Sequence, residues 1–319
     1  PANAVEGTLI SNVNANAYVL SGLQPNTTYD WYVQAACSDE ETSTWTGRKP
    51  FTTKHLTAAP YTQEFTTTST PEGWTKDDWY IETVSRIPAL EGNYIFCNLW
   101  TSTLKTFETI NVGPISADMA LSFYYSHINN GGSQESPGPG SGGFEISIST
   151  DYGATYSVLE TVNNNTSADW QYKEISISGY AGKDLKIKVT GIYNNGDFYL
   201  ALDKISISAQ NNCLAPLKLT ESNITASSAE LGWTEYGTAN TYNVKYGIAG
   251  FNPATEGETI VVSSTSYELT NLEQNTVYDW YVQAACSASD ASAWTGPKSF
   301  ATDCGSTSIP YFESFDAET

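Results

Sequence analysis

Basic residues are scarce in this chain of 319 residues, where 14 Lys and Arg face 35 Asp and Glu for a formal net charge of −21. Nucleic acid and anionic membrane surfaces are recognised by basic patches, so neither is expected as a partner. Histidine occurs only as His55 and His127. A histidine-based triad would need one of them. His55 stands in a linker, His127 heads an Asn-Gly turn, and neither has a Ser or Cys nucleophile motif around it. Gly-x-Ser-x-Gly, His-Glu-x-x-His and a phosphate-cradling glycine loop are all missing. Carboxylates are plentiful but scattered over turn-like segments, so no enzyme is expected here. No apolar run reaches the ~18 residues that span a bilayer, and Pro1 does not open a secretion signal. Cysteine is limited to five, an odd number, so at least one thiol has no partner within the chain.

What is abundant is aromatic: 21 Tyr, 9 Trp and 11 Phe, set among Thr, Ser, Asn and Gly. That is the composition of an all-β chain with many turns. It also contains a long internal repeat. Tyr-Asp-Trp-Tyr-Val-Gln-Ala-Ala-Cys-Ser runs from Tyr29 to Ser38 and recurs from Tyr278 to Ser287, 249 positions later. Trp45-Thr46-Gly47 recurs as Trp294-Thr295-Gly296, and Phe51 as Phe300. A period this long belongs to whole domains in tandem, not to a solenoid. The chain therefore reads as a window on a longer array, opening and closing partway through a unit.

Residues 211–303 hold a full set of short alternating segments. Leu217-Lys218-Leu219, Ala229 to Trp233, Tyr242 to Tyr246 and Ser266 to Leu269 come first. Tyr278, Trp280, Val282 and Ala284 then share one face of a further segment, and Ser299 to Thr302 closes the series. This is the pattern of a seven-stranded sandwich. The Trp of the second strand, the Leu272…Thr276-x-Tyr278 approach and the closing Phe300-x-Thr302 resemble a fibronectin type III domain. In that fold the first strand begins, and the sixth ends, at one pole. The resemblance thus implies a Cys213–Cys286 disulfide, closing a loop worth about 4 kcal/mol by chain entropy. Residues 1–53 match only the second half of such a domain. Half a sandwich leaves a sheet face uncovered and is not expected to fold alone.

Residues 54–210 differ. Alternation marks Leu121 to Tyr125, Phe144 to Ser149, Glu174 to Ile177, Leu185 to Val189 and Phe198 to Ile207. Ser133 to Gly143 is rich in Gly, Pro and Ser and reads as a long exposed loop. Pro71-Glu72-Gly73-Trp74, Ser149-Thr150-Asp151-Tyr152-Gly153, Tyr180-Ala181-Gly182 and Leu202-Asp203-Lys204-Ile205-Ser206-Ile207 resemble the cleaved adhesin domain, a MAM-like jelly roll known from gingipain haemagglutinin regions. Residues 304–319, with Ile309 to Asp316, look like the first strand of a second such module.

That resemblance implies a structural calcium joining the first strand to the last. It points to Asp203 and to Gln63 or Glu64, with Asn93 and its Glu91-Gly92 neighbours adding carbonyls. The restarted module reads Glu313-Ser314-Phe315-Asp316 where this one reads Gln63-Glu64-Phe65-Thr66, so acidic positions are neutralised here. Trp79, Tyr80, Trp100, Tyr125 and Tyr152 are read as ligand-binding rings in or near loops, able to stack on sugars. Each has a plainer role as core filler. Asn26-Thr27-Thr28 and Asn223-Ile224-Thr225 fit a glycosylation sequon but read as ordinary turn and strand residues.

Together these readings give a non-catalytic repeat segment of a large surface adhesin, binding glycans or proteins and packed beside repeats of the same chain. By resemblance it is exported to the surface of a Gram-negative bacterium by the type IX route. A sugar-binding accessory region of a secreted hydrolase and a purely structural stalk are the alternatives.

Overall fold

A computed structural model describes residues 7–37, 41–131, 134–210, 213–288 and 290–305. The restarted module at Ile309 to Asp316 lies outside the described residues. Among those described, the only helical element is the 3-10 turn Ser178–Tyr180; everything else regular is β-strand. The chain is all-β.

The central part is a two-sheet sandwich. One sheet runs Gln171–Ser176, Met119–Asn129, Phe198–Ala209, Tyr94–Leu99, Tyr80–Glu82, with Tyr61–Gln63 also paired to Phe198–Ala209. The other runs Ser157–Asn163, Gly142–Ser149, Lys186–Tyr193, Lys105–Glu108, Thr75–Asp77. Side chains alternate across each strand, so Leu121, Phe123 and Tyr125 meet Phe144, Ile146 and Ile187 in the core between the sheets. The stretch expected as an exposed loop before Gly142 is partly tucked in. Ser141 is buried, donates to Gly138 O at 2.8 Å and accepts from the Asn164 amide at 2.6 Å.

The first sheet is apolar on its outer side as well, and that side is covered too. Tyr94, Tyr124, Ile128 and Trp170 form a second cluster with Ile87 and Leu90 from the segment that crosses over them. Two hydrogen bonds pin that segment: Tyr94 OH donates to Ile87 O at 2.9 Å, and Trp170 Nε1 donates to Pro88 O at 2.7 Å. Leu217 and Tyr236 of the next sandwich complete the cover. The Tyr124 and Tyr236 rings meet edge-on at 5.0 Å. Adjacent Tyr124 and Tyr125 therefore point to opposite faces, and both are buried.

The C-terminal sandwich pairs Leu217–Ser222, Ser228–Thr234 and Ser266–Thr270 against a second sheet built on Glu258–Val262, Tyr242–Ile248, Val277–Ser287 and Thr295–Ala301. Glu258–Val262 is a strand that the sequence pattern did not reveal, because its apolar residues run in series. Trp233 packs on Tyr242 at 5.3 Å and on Trp280 at 6.2 Å, tying the sheets together. Cys213 and Cys286 form the disulfide, with Cα atoms 5.7 Å apart.

The N-terminal copy of the repeat reproduces its local geometry. Tyr29 pairs with Phe51 as Tyr278 pairs with Phe300, the rings stacked at 5.8 Å and 5.7 Å. Tyr29 OH accepts the Gln24 N–H at 2.8 Å, and Tyr278 OH accepts the Glu273 N–H at 2.9 Å. Thr53 and Thr302 bond the same way across their own hairpins. Burial does not follow. Trp280 is 0% exposed and Trp31 is 46% exposed, because no described strand lies over Trp31.

If the missing partner sheet alone separates the two copies, the segments are interchangeable. A C-terminal sandwich in which residues 29–53 replace residues 278–302 is expected to fold, to bury the transplanted Trp31 and to form a Cys37–Cys213 disulfide. Non-reducing peptide mass spectrometry and tryptophan emission check this; a solvent-like emission maximum would refute it.

Candidate functional site

The expected calcium residues converge only in part. After Tyr61–Gln63 the chain turns at Phe65, whose φ of 47° lies in the left-handed region and whose ring is buried edge-on to Trp74 at 5.7 Å. A second turn at Gly92, with φ of 59°, brings up the Glu91-Gly92-Asn93 loop. Between these loops and the strand Phe198–Ala209 lies a cleft of about 210 Å³ lined by Glu64, Phe65, Thr66, Glu91, Gly92, Asn93 and Lys204. Gln63 is not part of it. Side chains alternate along a strand, and its Oε1 accepts from Tyr61 OH at 3.2 Å.

A lysine holds the centre of this cleft. Lys204 Nζ lies 2.8 Å from Glu91 Oε2 and 3.8 Å from Glu64 Oε1. Burial opposes the ammonium form, but the hydrogen bond and charge of Glu91, with Glu64 and Asp203, outweigh it and hold the amine above its ordinary value. Asp203 is fully buried behind it. Its Oδ1 accepts the Lys204 N–H at 2.7 Å, while Oδ2 has no partner. Desolvation pushes this carboxyl up to about 8, against the pull of Lys204.

Calcium wants six to eight oxygens free to converge on it. Here donors of the protein itself engage most of them, Asp203 Oδ2 excepted. Lys204 takes Glu91 and Glu64, the Asn93 amide donates to Phe65 O at 3.3 Å, and Thr83 OH donates to Gly92 O at 2.9 Å. No group of three or more Asp, Glu, His or Cys that could hold a metal ion occurs among the described residues. As arranged, Asp203, Glu64, Gln63 and Asn93 do not fit a calcium ion. Lys204 was visible in the sequence directly after Asp203, as one of few bases in an acidic chain, but its role was not read from it.

The ligand-binding rings divide. Trp79 is 0% exposed and packs edge-on against Phe107 at 4.8 Å, so it is core. Tyr125 is 7% exposed and lies between Phe123 and Phe144, again core. Alternation places both on the inner face, which the sequence alone could not distinguish from the outer. Tyr80, Trp100 and Tyr152 are exposed by 51%, 59% and 41%. They do not form one group. Tyr152 belongs to the Asp151 turn of the other sheet and donates to Asp184 Oδ2 at 2.6 Å. Hydroxyls of Thr155 and Ser149 brace that turn and hold Asp151 down to about 2.

Tyr80 has companions that the sequence reading missed. Its ring lies 5.9 Å from Phe96, which lies 5.9 Å from Tyr199. Asn98 pairs with Tyr199 across the sheet. The clue was present: Phe96, Asn98 and Trp100 alternate along and just past Tyr94–Leu99. Of these outer-face groups Tyr80 and Trp100 are exposed, Tyr199 and Asn98 are half-buried, and Phe96 is buried in the second cluster.

Known proteins resemble parts of this chain. Residues 214–299 match the fibronectin type III domain family. Among solved structures, the fibronectin type III domain of human collagen α-1(XX) is 22% identical with a TM-score of 0.27, covering 32% of this chain and 95% of its own. That of human contactin 1 is 21% identical with a TM-score of 0.29, covering 33% and 90%. The glycoside hydrolase domain of Endo-D from Streptococcus pneumoniae is 15% identical with a TM-score of 0.35, and the likeness covers 78% of this chain and 38% of that one. No curated protein matches. The fibronectin type III domain thus begins beside Cys213, the disulfide partner of Cys286.

His127, the one histidine near the central core, is fully buried and neither ring nitrogen has a partner. It packs against Tyr125, Phe144 and Phe198. Desolvation lowers its pKa to about 3. The unfolded chain therefore binds a proton near pH 6.5 that the folded chain refuses until about pH 3. Its contribution is complete above the unfolded pKa and is lost as pH falls through that window, by about 1.4 kcal/mol per unit. His127→Phe is expected to flatten this acid limb in urea titrations; an unchanged slope would exclude His127 as its source.

Proposed function

We propose that this chain is a non-catalytic binding segment that attaches to neutral glycans through exposed aromatic rings of its central sandwich. The fibronectin type III domain and the disulfide are those of an extracellular protein, and among the described residues no helix is long and apolar enough to cross a membrane. The finer reading, a repeat of a large surface adhesin in a Gram-negative bacterium, is supported by the 249-residue period and the order of modules. The observation that carries the binding role is the pair of exposed rings Tyr80 and Trp100, at 51% and 59%, with Tyr80 backed by the buried Phe96 and the half-buried Tyr199. Ring faces take the C–H side of a sugar. A net charge of −21 disfavours sulfated or uronic glycans and favours neutral ones.

The full chain on a glycan array is expected to retain neutral oligosaccharides. Tyr80→Ala and Trp100→Ala should each lower the affinity at least about tenfold, the equivalent of 1.4 kcal/mol. Retention of every glycan by both variants at wild-type affinity would move the site elsewhere.

One observation also favours a structural role. Tyr236 and Leu217 of the fibronectin type III domain sit in the same cluster as Tyr124 and Trp170 of the central sandwich, so the joint is packed rather than a bare linker. Tyr236→Ser should broaden the distance distribution between spin labels placed on the two sandwiches. An unaltered distribution would mean that the joint is held by something else.

A further inference from the structure

We propose that Lys204 is a built-in cation: its ammonium, rather than a metal ion, ties the loops at Glu64 and Glu91 to the last strand of the central sandwich. The inference is independent of the glycan reading and rests on the geometry of the cleft.

Three acids meet Lys204 from three separate stretches of chain: Glu64 after the first strand and Glu91 in the crossing segment line the cleft, and Asp203 in the last strand is buried behind them. Left alone, Glu64 and Glu91 would repel one another. A divalent cation is one remedy. A lysine rooted in the fold is another, and it is the one present. Lys204 has a φ of 47°, a left-handed conformation that side-chain-bearing residues rarely adopt. That turn lets the N–H of Lys204 reach Asp203 Oδ1 while its ammonium reaches Glu91 and Glu64. One residue therefore contacts all three acids. The pairing with Met119–Asn129 shifts register at this point, a bulge of the kind that re-aims a side chain. The Lys204 side chain is 21% exposed, while its partners Glu91 and Glu64 are 42% and 58% exposed, so water partly screens both pairs.

The same arrangement explains why the calcium oxygens do not converge. Any metal entering the cleft would have to displace an ammonium already held by Glu91 and free Phe65 O from the Asn93 amide. Each exchange breaks a contact that folding has made.

Thermal unfolding of the full chain tests this directly. The wild type is expected to melt at the same temperature, within about 1 °C, in EDTA and in millimolar calcium. Lys204→Met strips the ammonium and leaves the carboxylates facing each other. It is expected to melt at least about 3 °C lower in EDTA and to regain part of that loss when calcium is added. Should Lys204→Met fail to fold, Glu91→Gln keeps a hydrogen-bonding oxygen and is expected to melt lower than wild type by a smaller margin, with no response to calcium. Amine-reactive labelling read by peptide mass spectrometry adds a readout free of mutation: Lys204 should react at least about tenfold more slowly than the exposed Lys54. A calcium-dependent rise of about 3 °C in the wild type, a Lys204→Met or fallback Glu91→Gln variant as stable as wild type, or labelling of Lys204 at the rate of Lys54 would each overturn the proposal.

Discussion

A β-sheet with an apolar face has to cover it, and that requirement organises this chain at every level. The repeated decamer separates the requirement from local geometry. Around Tyr29 and Tyr278 the same residues make the same hairpin, the same tyrosine hydrogen bond and the same ring stack. What differs is the sheet on the other side. Trp280 is sealed by Leu231 and Trp233, and Trp31 is not. Burying a large aromatic is worth about 3 kcal/mol, so most of the stability of such a hairpin comes from a partner sheet and not from its own sequence. The central sandwich meets the same demand twice. Its first sheet is apolar on both faces, and the outer one is closed by the segment carrying Ile87 and Leu90 and by Tyr236 of the next domain.

This double-sided sheet also marks where sequence reading succeeded and where it stopped. Alternation located Leu121 to Tyr125 within Met119–Asn129 and Phe198 to Ile207 within Phe198–Ala209, because Ser122, Asp203 and Ser206 interrupt their apolar runs. It could not say which face was inner. Trp79 and Tyr125 were therefore taken for surface rings when they belong to the core, while Phe96 and Tyr199 were overlooked on the outer face. Short strands escaped for a different reason. Thr75–Asp77 is polar throughout and exposed, an edge strand with no hydrophobic period to find. The disulfide was foreseen because the resemblance supplied the geometry of the poles, which spacing alone does not contain.

The candidate cleft was half legible. Asp203 and Glu64 were picked out as acids near one another, which they are through Lys204. The error lay in treating charge as something to be supplied from outside. In a chain with 14 bases and a net charge of −21, each base has many acidic neighbours to choose from. Several are drawn inward: Lys105 meets Asp78 at 3.2 Å and Lys186 meets Glu108 at 2.9 Å, the lysines 9% and 14% exposed and the carboxylates 54% and 27%. Such half-buried pairs add little net stability, yet a largely buried ammonium left without its partner is costly, so they fix which loop lies against which strand.

That view bears on how the proposed binding surface keeps its shape. The ring platform of exposed Tyr80, buried Phe96 and half-buried Tyr199 runs inward from the edge strand of the same sheet whose last strand carries Lys204. Strand Phe198–Ala209 joins the two: Tyr199 sits near one end on the ring platform, and Lys204 five residues on holds the loops. A pin made of ammonium travels with the polypeptide and does not vary with the calcium level outside the cell. On this argument the position of the platform depends on residues that the chain itself carries, and the surface offered to a ligand stays constant wherever the chain is displayed.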